Sequence, residues 1–423
     1  MSQEPNDLKN VGGGLAANYV AMAVAGASGL ILNIVVASAE GADGLGLFSQ
    51  LYVAFVIAAQ PATAGLHYAT LRWVAISKPE ASHAITVRAL RAVIPTASAV
   101  AITFAFVAPV LATLANSDGL ETALRLAAAG LIFHAVNKVL MAHANGRRHM
   151  TTFAVMQALR VVFLVAAVAA ILLFAEDPAR LGLAFPLAEG ALTLVLGAAT
   201  VRARGVAQTR NGVPAVKTLL AFGLRSLGGG LVQELNARVD VVVLSVLVSD
   251  TEVGIYTLAA TAIEGAFQLL IVLRNNINPA LANALSTGDL PTVEELAHRY
   301  RRRILVVTIA LWLAVALAFR PLVGAVGLSS DFEAAWGPLL ILATGLGAVS
   351  LLLPFDQIFL LGGHPTMQTM VVFGVVVANI GLNVILVPWI GVEGAALSTA
   401  AAFLLTGAAI WVFARRTFGI RLL

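Results

Sequence analysis

Long apolar stretches alternate with short hydrophilic breaks along the whole chain, and the breaks themselves alternate in sign. Acidic breaks stand at Glu40/Asp43, Asp118/Glu121, Glu176/Asp177, Asp250/Glu252, Asp331/Glu333 and Glu393. Between them fall basic breaks at Lys78/Arg88/Arg91, Arg147/Arg148, Arg202/Arg204/Arg210/Lys217, Arg299/Arg301/Arg302/Arg303 and Arg415/Arg416. A bilayer core is crossed by a helix of about 20 residues, so the intervals predict about twelve spans: 14–37, 46–71, 92–115, 122–143, 150–175, 181–202, 217–249, 252–285, 304–326, 334–361, 366–388 and 394–414. Lys and Arg are retained on the cytoplasmic side, which places both termini there. Of the 26 Lys and Arg, 18 fall in the cytoplasmic segments, Arg125, Arg180 and Arg320 face outward, and five lie inside spans.

Composition strengthens this reading. With 59% hydrophobic and 11% charged residues and a mean hydropathy of +0.91, 423 residues supply too little polar surface to coat a soluble globule. The expected protein is an all-α multi-pass membrane protein. The formal charge of +4 belongs to the cytoplasmic loops and predicts no nucleic-acid partner. The absence of Cys removes disulfides, thiolate metal sites and Cys nucleophiles together. The opening MSQEPNDLKN carries two acids and one Lys, and no small-residue cleavage site follows, so the first apolar stretch reads as a retained span. Trp73, Trp336, Trp389 and Trp411 fall near span ends, where amphipathic rings prefer to sit, whereas Trp312 falls inside a span.

The chain repeats itself. Gly46-Leu47-Phe48 after the first acidic break recurs as Gly254-Ile255-Tyr256 after the fourth, 208 residues later. Gly197-Ala198-Ala199 before Arg202 and Arg204 recurs as Gly407-Ala408-Ala409 before Arg415 and Arg416, 210 residues later. Six spans per copy return each copy to the side where it began. The copies are therefore parallel, related by an axis along the membrane normal. The expected organisation is a six-helix lobe over 1–202, a polar linker over 203–216 and a second six-helix lobe over 217–423. In the cytoplasmic loop 286–303, Thr292-Val-Glu-Glu295 has a capping-box pattern and Glu295 stands four residues before Arg299, which predicts a short surface helix leading into the ninth span.

Ten ionisable residues fall inside the predicted spans: Lys138, Arg160, Arg225, Arg238 and Arg274 against Glu189, Glu234, Asp240, Glu264 and Asp356. Each costs roughly 2.5–3.5 kcal/mol at mid-span on insertion scales, so most must face a cavity or one another. Glu234 and Arg238 are four apart on one helical face, and Gly228-Gly229-Gly230 beside them predicts a hinge, since an interior Gly weakens a helix by about 1 kcal/mol relative to Ala. Asn379 and Asn383 are likewise four apart. Two roles compete for these residues. One is glue between helices, with Lys138, Arg274 and Asp356 snorkelling from span ends. The other is a water-filled cavity in which cations hold an anionic substrate and acids exchange a proton or a cation. His134, one turn before Lys138, reads as a packed polar residue.

No phosphate loop, H-E-x-x-H or G-x-S-x-G pattern occurs, and nothing argues for an enzyme. Several stretches resemble a known family. Residues 36–48, VASAEGADGLGLF, are similar to the junction between the first two spans of polysaccharide exporters and O-antigen flippases of the Wzx type. Arg238-Val-Asp240, Val253-Gly-Ile-Tyr256 and Asn278-Pro279-Ala280 resemble that family's seventh and eighth spans. Asp331-Phe332 with Pro338-Leu339-Leu340, and Asn383-Val-Ile-Leu-Val-Pro388 with Gly391-Val-Glu-Gly394-Ala395-Ala396, resemble its closing segments. Similar motifs recur in the wider superfamily that also holds lipid II flippases and multidrug extruders.

The resemblance implies a two-lobed transporter that moves an undecaprenyl-pyrophosphate-linked oligosaccharide between leaflets by alternating access. It implies H+ or Na+ as coupling ion, no cofactor, and membrane lipids, with a glycan polymerase or glycosyltransferases, as partners. Ser38 stands where the family often carries Arg, which leaves Arg160 and Lys138 as the first lobe's cations. A multidrug antiporter would use Glu234, Asp240 and Glu264 to bind a cation. A membrane glycosyltransferase or polymer ligase needs a sizeable outward loop, and every outward loop here is short.

Overall fold

A computed structural model describes the backbone of residues 5–175, 177–202 and 213–422, and the side chains of residues 29–175, 177–197 and 213–422 apart from 269 and 272. Most of the linker at 203–216, with Arg204 and Arg210, lies outside the described residues, as does Glu176. Among the described residues there is no strand. The helices are α1 (Pro5–Thr63), α2 (Leu66–Ile76), α3 (Pro79–Ala115), α4 (Leu120–Gly146), α5 (Met150–Phe174), α6 (Ala184–Arg202), α7 (Val216–Leu247), α8 (Asp250–Thr287), α9 (Leu290–Ala325), α10 (Trp336–Val349), α11 (Ile358–Leu361) and α12 (Pro365–Phe413).

Two of these helices each hold two passes. α1 breaks at Gly41 (φ 69°, ψ −163°), and α12 breaks at Ile390 and Gly391 (φ 59°, ψ −137°). Both glycines sit at backbone angles closed to residues with a Cβ, and both lie beside an acidic break, at Glu40 and Glu393. Eight described segments are long and apolar enough to cross a membrane, and α8, bent by 43° between Gln268 and Leu273, makes a ninth. Among the described residues, dividing α1 and α12 at their breaks and adding the charge-rich α7 gives twelve passes, the number expected from the alternating breaks.

The apolar surface is turned outward. In the apolar windows of α5 and α9 only 11% and 6% of residues are buried, against 67% for residues 29–63 and 61% for α4. Ile102, Phe106, Leu173, Phe174, Leu194 and Leu317 are all more than 70% exposed. Exposed apolar surface on this scale is what a lipid solvent requires. The protein is a multi-pass membrane protein.

Packing divides the chain into two compact units, Met1–Val36 with Gln50–Leu235, and Ala37–Ser49 with Asn236–Leu423. In the first, α4 packs against α2, α3 and α6 through small side chains such as Ala123, Ala127, Gly130 and Ala135, the usual means of close helix approach in lipid. In the second, α10 packs against α8, α9 and α12. At one end of this unit Gly419, in the left-handed conformation, turns the chain so that Ile420 and Leu422 pack with Phe355, Phe359 and Phe413.

Within the second unit the sequence repeat makes contact with itself. A Cβ on Gly46 would stand 1.8 Å from the carbonyl oxygen of Asp250, and one on Gly254 would stand 2.0 Å from that of Ala42. Asp250 and Gly254 are the positions 208 residues beyond Ala42 and Gly46, so each copy presses its glycine onto the other's carbonyl. Asp43 accepts a hydrogen bond from Thr251, again 208 residues on. Reciprocal contact between equivalent positions is the mark of a twofold relation. Phe48 and Tyr256, which close the two Gly-x-aromatic motifs, are both fully buried.

Two expectations change at this level. α7 is helical straight through Gly228-Gly229-Gly230. Gly230 lies against the Tyr68 hydroxyl, 2.9 Å from where its Cβ would be, so it makes room for a neighbour, and the backbone breaks sit at Gly41 and Gly391 instead. The helix expected at 292 does lead into the ninth span, as the first part of the continuous α9, but Thr292 donates to Asp289 at 2.6 Å without the expected capping box. A full capping box occurs instead at Ser249 and Glu252, at the start of α8. The expected Glu295–Arg299 pair is present at 2.6 Å.

Candidate functional site

The first unit buries a polar network between α4, α5 and α6. Glu189, 4% exposed, receives Arg160 Nε at 2.7 Å on Oε1 and Asn137 Nδ2 at 2.8 Å on Oε2. His134 Nδ1 lies 2.9 Å from the same Oε1. Asn137 Nδ2 also donates to the Glu189 backbone oxygen at 2.9 Å, and because both Glu189 oxygens only accept, the amide nitrogen faces Glu189 while Oδ1 lies 2.9 Å from the Thr193 hydroxyl. Helical spacing builds this arrangement: His134, Asn137 and Lys138 share one face of α4, and Glu189 and Thr193 share one face of α6. Lys138 is close enough to feel both Arg160 and Glu189. With Nε committed to Glu189, Nη2 against the His134 ring and its side chain 25% exposed, Arg160 is a fixed, partly desolvated cation. Such a group suits a phosphate or carboxylate.

Elsewhere in this unit Gln60 donates to Glu234 at 3.4 Å. Arg72 lies over the Phe222 ring, 5.0 Å from its centroid, beside a cavity of about 300 Å³ lined by Tyr68, Leu71 and Ser226. Arg225, on the same helix as Phe222, is exposed.

In the second unit Asp240 accepts from Tyr256, whose hydroxyl is 3.3 Å from Thr399 Oγ1. Asn383 donates to both the backbone and side-chain oxygens of Asn379, at 2.9 and 2.8 Å, and its own buried Oδ1 has no hydrogen-bond partner among the described residues. Arg274 and Asp356, which the sequence assigns to snorkelling, bind each other at 2.8 Å and are 22% and 25% exposed. The pair forms because the irregular stretch after α10 brings Asp356 inward against α8. Arg238 is half-buried and Glu264 exposed.

The sequence-predicted residues thus gather in separate clusters. Arg160 and Glu189 meet, as do Arg274 with Asp356 and Asn379 with Asn383. Asn137, Thr193, Gln60, Tyr256 and Thr399 are additions. The first two could have been found from their i+3 and i+4 spacing to His134 and Glu189. Tyr256 was visible as the end of the repeated motif.

A family model described as polysaccharide biosynthesis protein matches residues 41–334. The chain belongs to that family. Among solved structures it is similar to an inward-facing multidrug resistance MATE transporter of the MOP superfamily (TM-score 0.77, 14% identity, covering 94% of each chain). It is also similar to the lipid II flippase MurJ in an inward closed conformation (TM-score 0.72, 12% identity, covering 95% of this chain and 87% of that one). A third likeness is a MOP superfamily transporter from Pyrococcus furiosus, whose binding pocket is described as having reverse polarity (TM-score 0.60, 14% identity, covering 96% and 95%). No curated protein sequence matches. The likenesses show the fold: twelve helices in two lobes, the architecture of these solved transporters.

Proposed function

We propose that the protein moves a lipid-linked oligosaccharide of the undecaprenyl-pyrophosphate type from the inner to the outer leaflet of the bacterial cytoplasmic membrane. Alternating access of the lobes 1–202 and 217–423 would be coupled to H+ or Na+. The observation that carries this reading is Arg160, an oriented and partly exposed guanidinium inside an apolar span, in a member of a polysaccharide biosynthesis family. A diphosphate headgroup needs desolvated cations, while its lipid tail can stay in the bilayer. Arg225, Arg238, Arg274 and Lys138 are proposed as further cations along the path. Glu234, Asp240, Glu264, Asn379 and Asn383 are proposed as its polar contacts or as holders of the coupling ion.

Deleting the protein is expected to leave sugar–lipid intermediates assembled but trapped on the cytoplasmic leaflet, with surface polysaccharide lost and sugar transfer intact. Blocking the first sugar transfer should relieve the accompanying growth defect, because trapped intermediates tie up carrier lipid. Unchanged surface glycan in a strain without a redundant exporter rules the reading out. Normal glycan with increased sensitivity to lipophilic cations would point to drug export.

The orientation is checked separately. Reporter fusions at Asp118, Asp177, Asp250 and Glu333 are expected to report outside and fusions at Arg148, Arg210 and Arg302 inside. Two or more inside reports at the acidic positions would refute this topology.

A further inference from the structure

His134 is contested by two neighbours. Its Nδ1 is 2.9 Å from Glu189 Oε1, and Arg160 Nη2 is 2.6 Å from Nδ1 and 3.4 Å from Nε2. Approach to both ring nitrogens at once places the guanidinium across the face of the imidazole, away from the in-plane lone pair of either nitrogen. The in-plane hydrogen bond of Nδ1 therefore belongs to Glu189, and since a carboxylate only accepts, Nδ1 carries the hydrogen. Nε2 is then the nitrogen without a proton, and it lies beneath a permanent cation.

The charges around the ring decide when Nε2 can take a proton. Facing it are Arg160 from α5, Glu189 from α6 and Lys138 from α4. His67 from α2 is the other titratable ring within electrostatic reach, and Glu234 from α7 joins the set through Lys138. From α1 the neighbour is the Phe55 ring, edge-on at 5.7 Å, and among the described residues α3 adds no charge to the set. One carboxylate thus already faces two cations. A third positive charge in this dry surrounding needs a second anion.

We propose that His134 is a proton-binding site coupled to anion binding at Arg160: when an anionic group of the transported molecule draws the guanidinium off the ring, Nε2 accepts a proton from cavity water and the imidazolium holds Glu189 through Nδ1–H. One N–H bond forms at Nε2, the proton is supplied by the buffered solution and relayed by water so that no hydroxide is left behind, and Arg160 exchanges the ring face for the ligand oxygen. Anion and proton favour each other's binding, and the coupling is reciprocal. This rests on the reading that the transported molecule carries a diphosphate.

The test uses the full-length protein in lipid nanodiscs and a short-chain prenyl-diphospho-N-acetylglucosamine, whose two phosphates are permanently ionised near neutral pH and release no proton of their own. Calorimetry in buffers of different protonation enthalpy is expected to show net proton uptake on binding to the wild type and none with His134→Gln. Wild-type affinity should rise as pH falls, by up to about tenfold per pH unit for one linked proton. Binding without uptake, or with the same uptake in His134→Gln, overturns the proposal. If the wild type fails to bind this probe, the diphosphate reading falls, and a ligand-free measurement then decides the proton site. In 15N-histidine spectra, with the His134 signal assigned by its loss in His134→Gln, Arg160→Gln is expected to increase the fraction of His134 present as imidazolium at pH 6. An unchanged fraction refutes the coupling whatever the substrate.

Discussion

Replacing Glu189 with Ala is expected to cost roughly 3–5 kcal/mol of stability, because it takes the carboxylate from the Arg160 guanidinium and the buried His134, leaving Asn137 only the backbone carbonyl of residue 189. The loss should be visible as lower membrane abundance and a lower melting temperature in detergent. Removing both charges is a different experiment. A buried ion pair replaced by apolar residues of similar volume is often neutral or stabilising, so Arg160→Met combined with Glu189→Leu should recover much of the abundance lost by Glu189→Ala. The same double variant separates the two roles that buried charges can play. If the pair is only glue, the refolded double variant transports. If Arg160 receives the substrate anion, it accumulates in the membrane and is inactive, with sugar–lipid trapped on the inner leaflet. Recovery of abundance together with transport would remove Arg160 from the proposed path.

How far this network could be read from the sequence depends on which distances the chain itself sets. Span number and limits follow from local physics, since each apolar run must cross a bilayer of fixed thickness, and every predicted span has a helical counterpart. Pairings within one helix were equally accessible, as Glu295 with Arg299 and Asn379 with Asn383 show. Pairings between helices were not. Arg160 meets Glu189 across 29 positions, and Arg274 meets Asp356 across 82. Hydropathy cannot choose among ten intramembrane charges, because it says only that each needs a partner. The expected hinge at Gly228 to Gly230 illustrates the same limit: glycine weakens a helix locally, but neighbours decide whether it bends, and here α7 stays helical while Tyr68 fills the space beside Gly230. The repeat is the exception. An offset of 208 residues, legible from three-residue matches, predicts which distant positions are equivalent, and those positions touch one another.

That contact supplies the other prediction of large effect. The segments Ala42–Gly46 and Asp250–Gly254 meet glycine to carbonyl with no space for a side chain, so they form a closed, tightly packed seam. If the proposed cycle runs by alternating access of the two repeats, this seam is expected to open once per cycle. The chain contains no Cys, so a pair can be introduced without background. Asp43→Cys with Thr251→Cys replaces two side chains that hydrogen-bond each other, and oxidation is expected to join them. The oxidised protein should lose nearly all transport and regain it on reduction, whereas either single variant should respond to neither treatment. Reversibility is the deciding property, because a misfolded variant would not recover with a reducing agent. Gly46→Ala or Gly254→Ala should act oppositely, prising the seam apart at about 1–3 kcal/mol each, the usual cost of forcing an extra methyl into a packed contact. Their combination should cost less than the sum, since separation forced by one methyl makes room for the other. Transport that continues in the fully crosslinked protein would show that the seam stays closed throughout the cycle, and the opening would then have to be sought elsewhere in the fold.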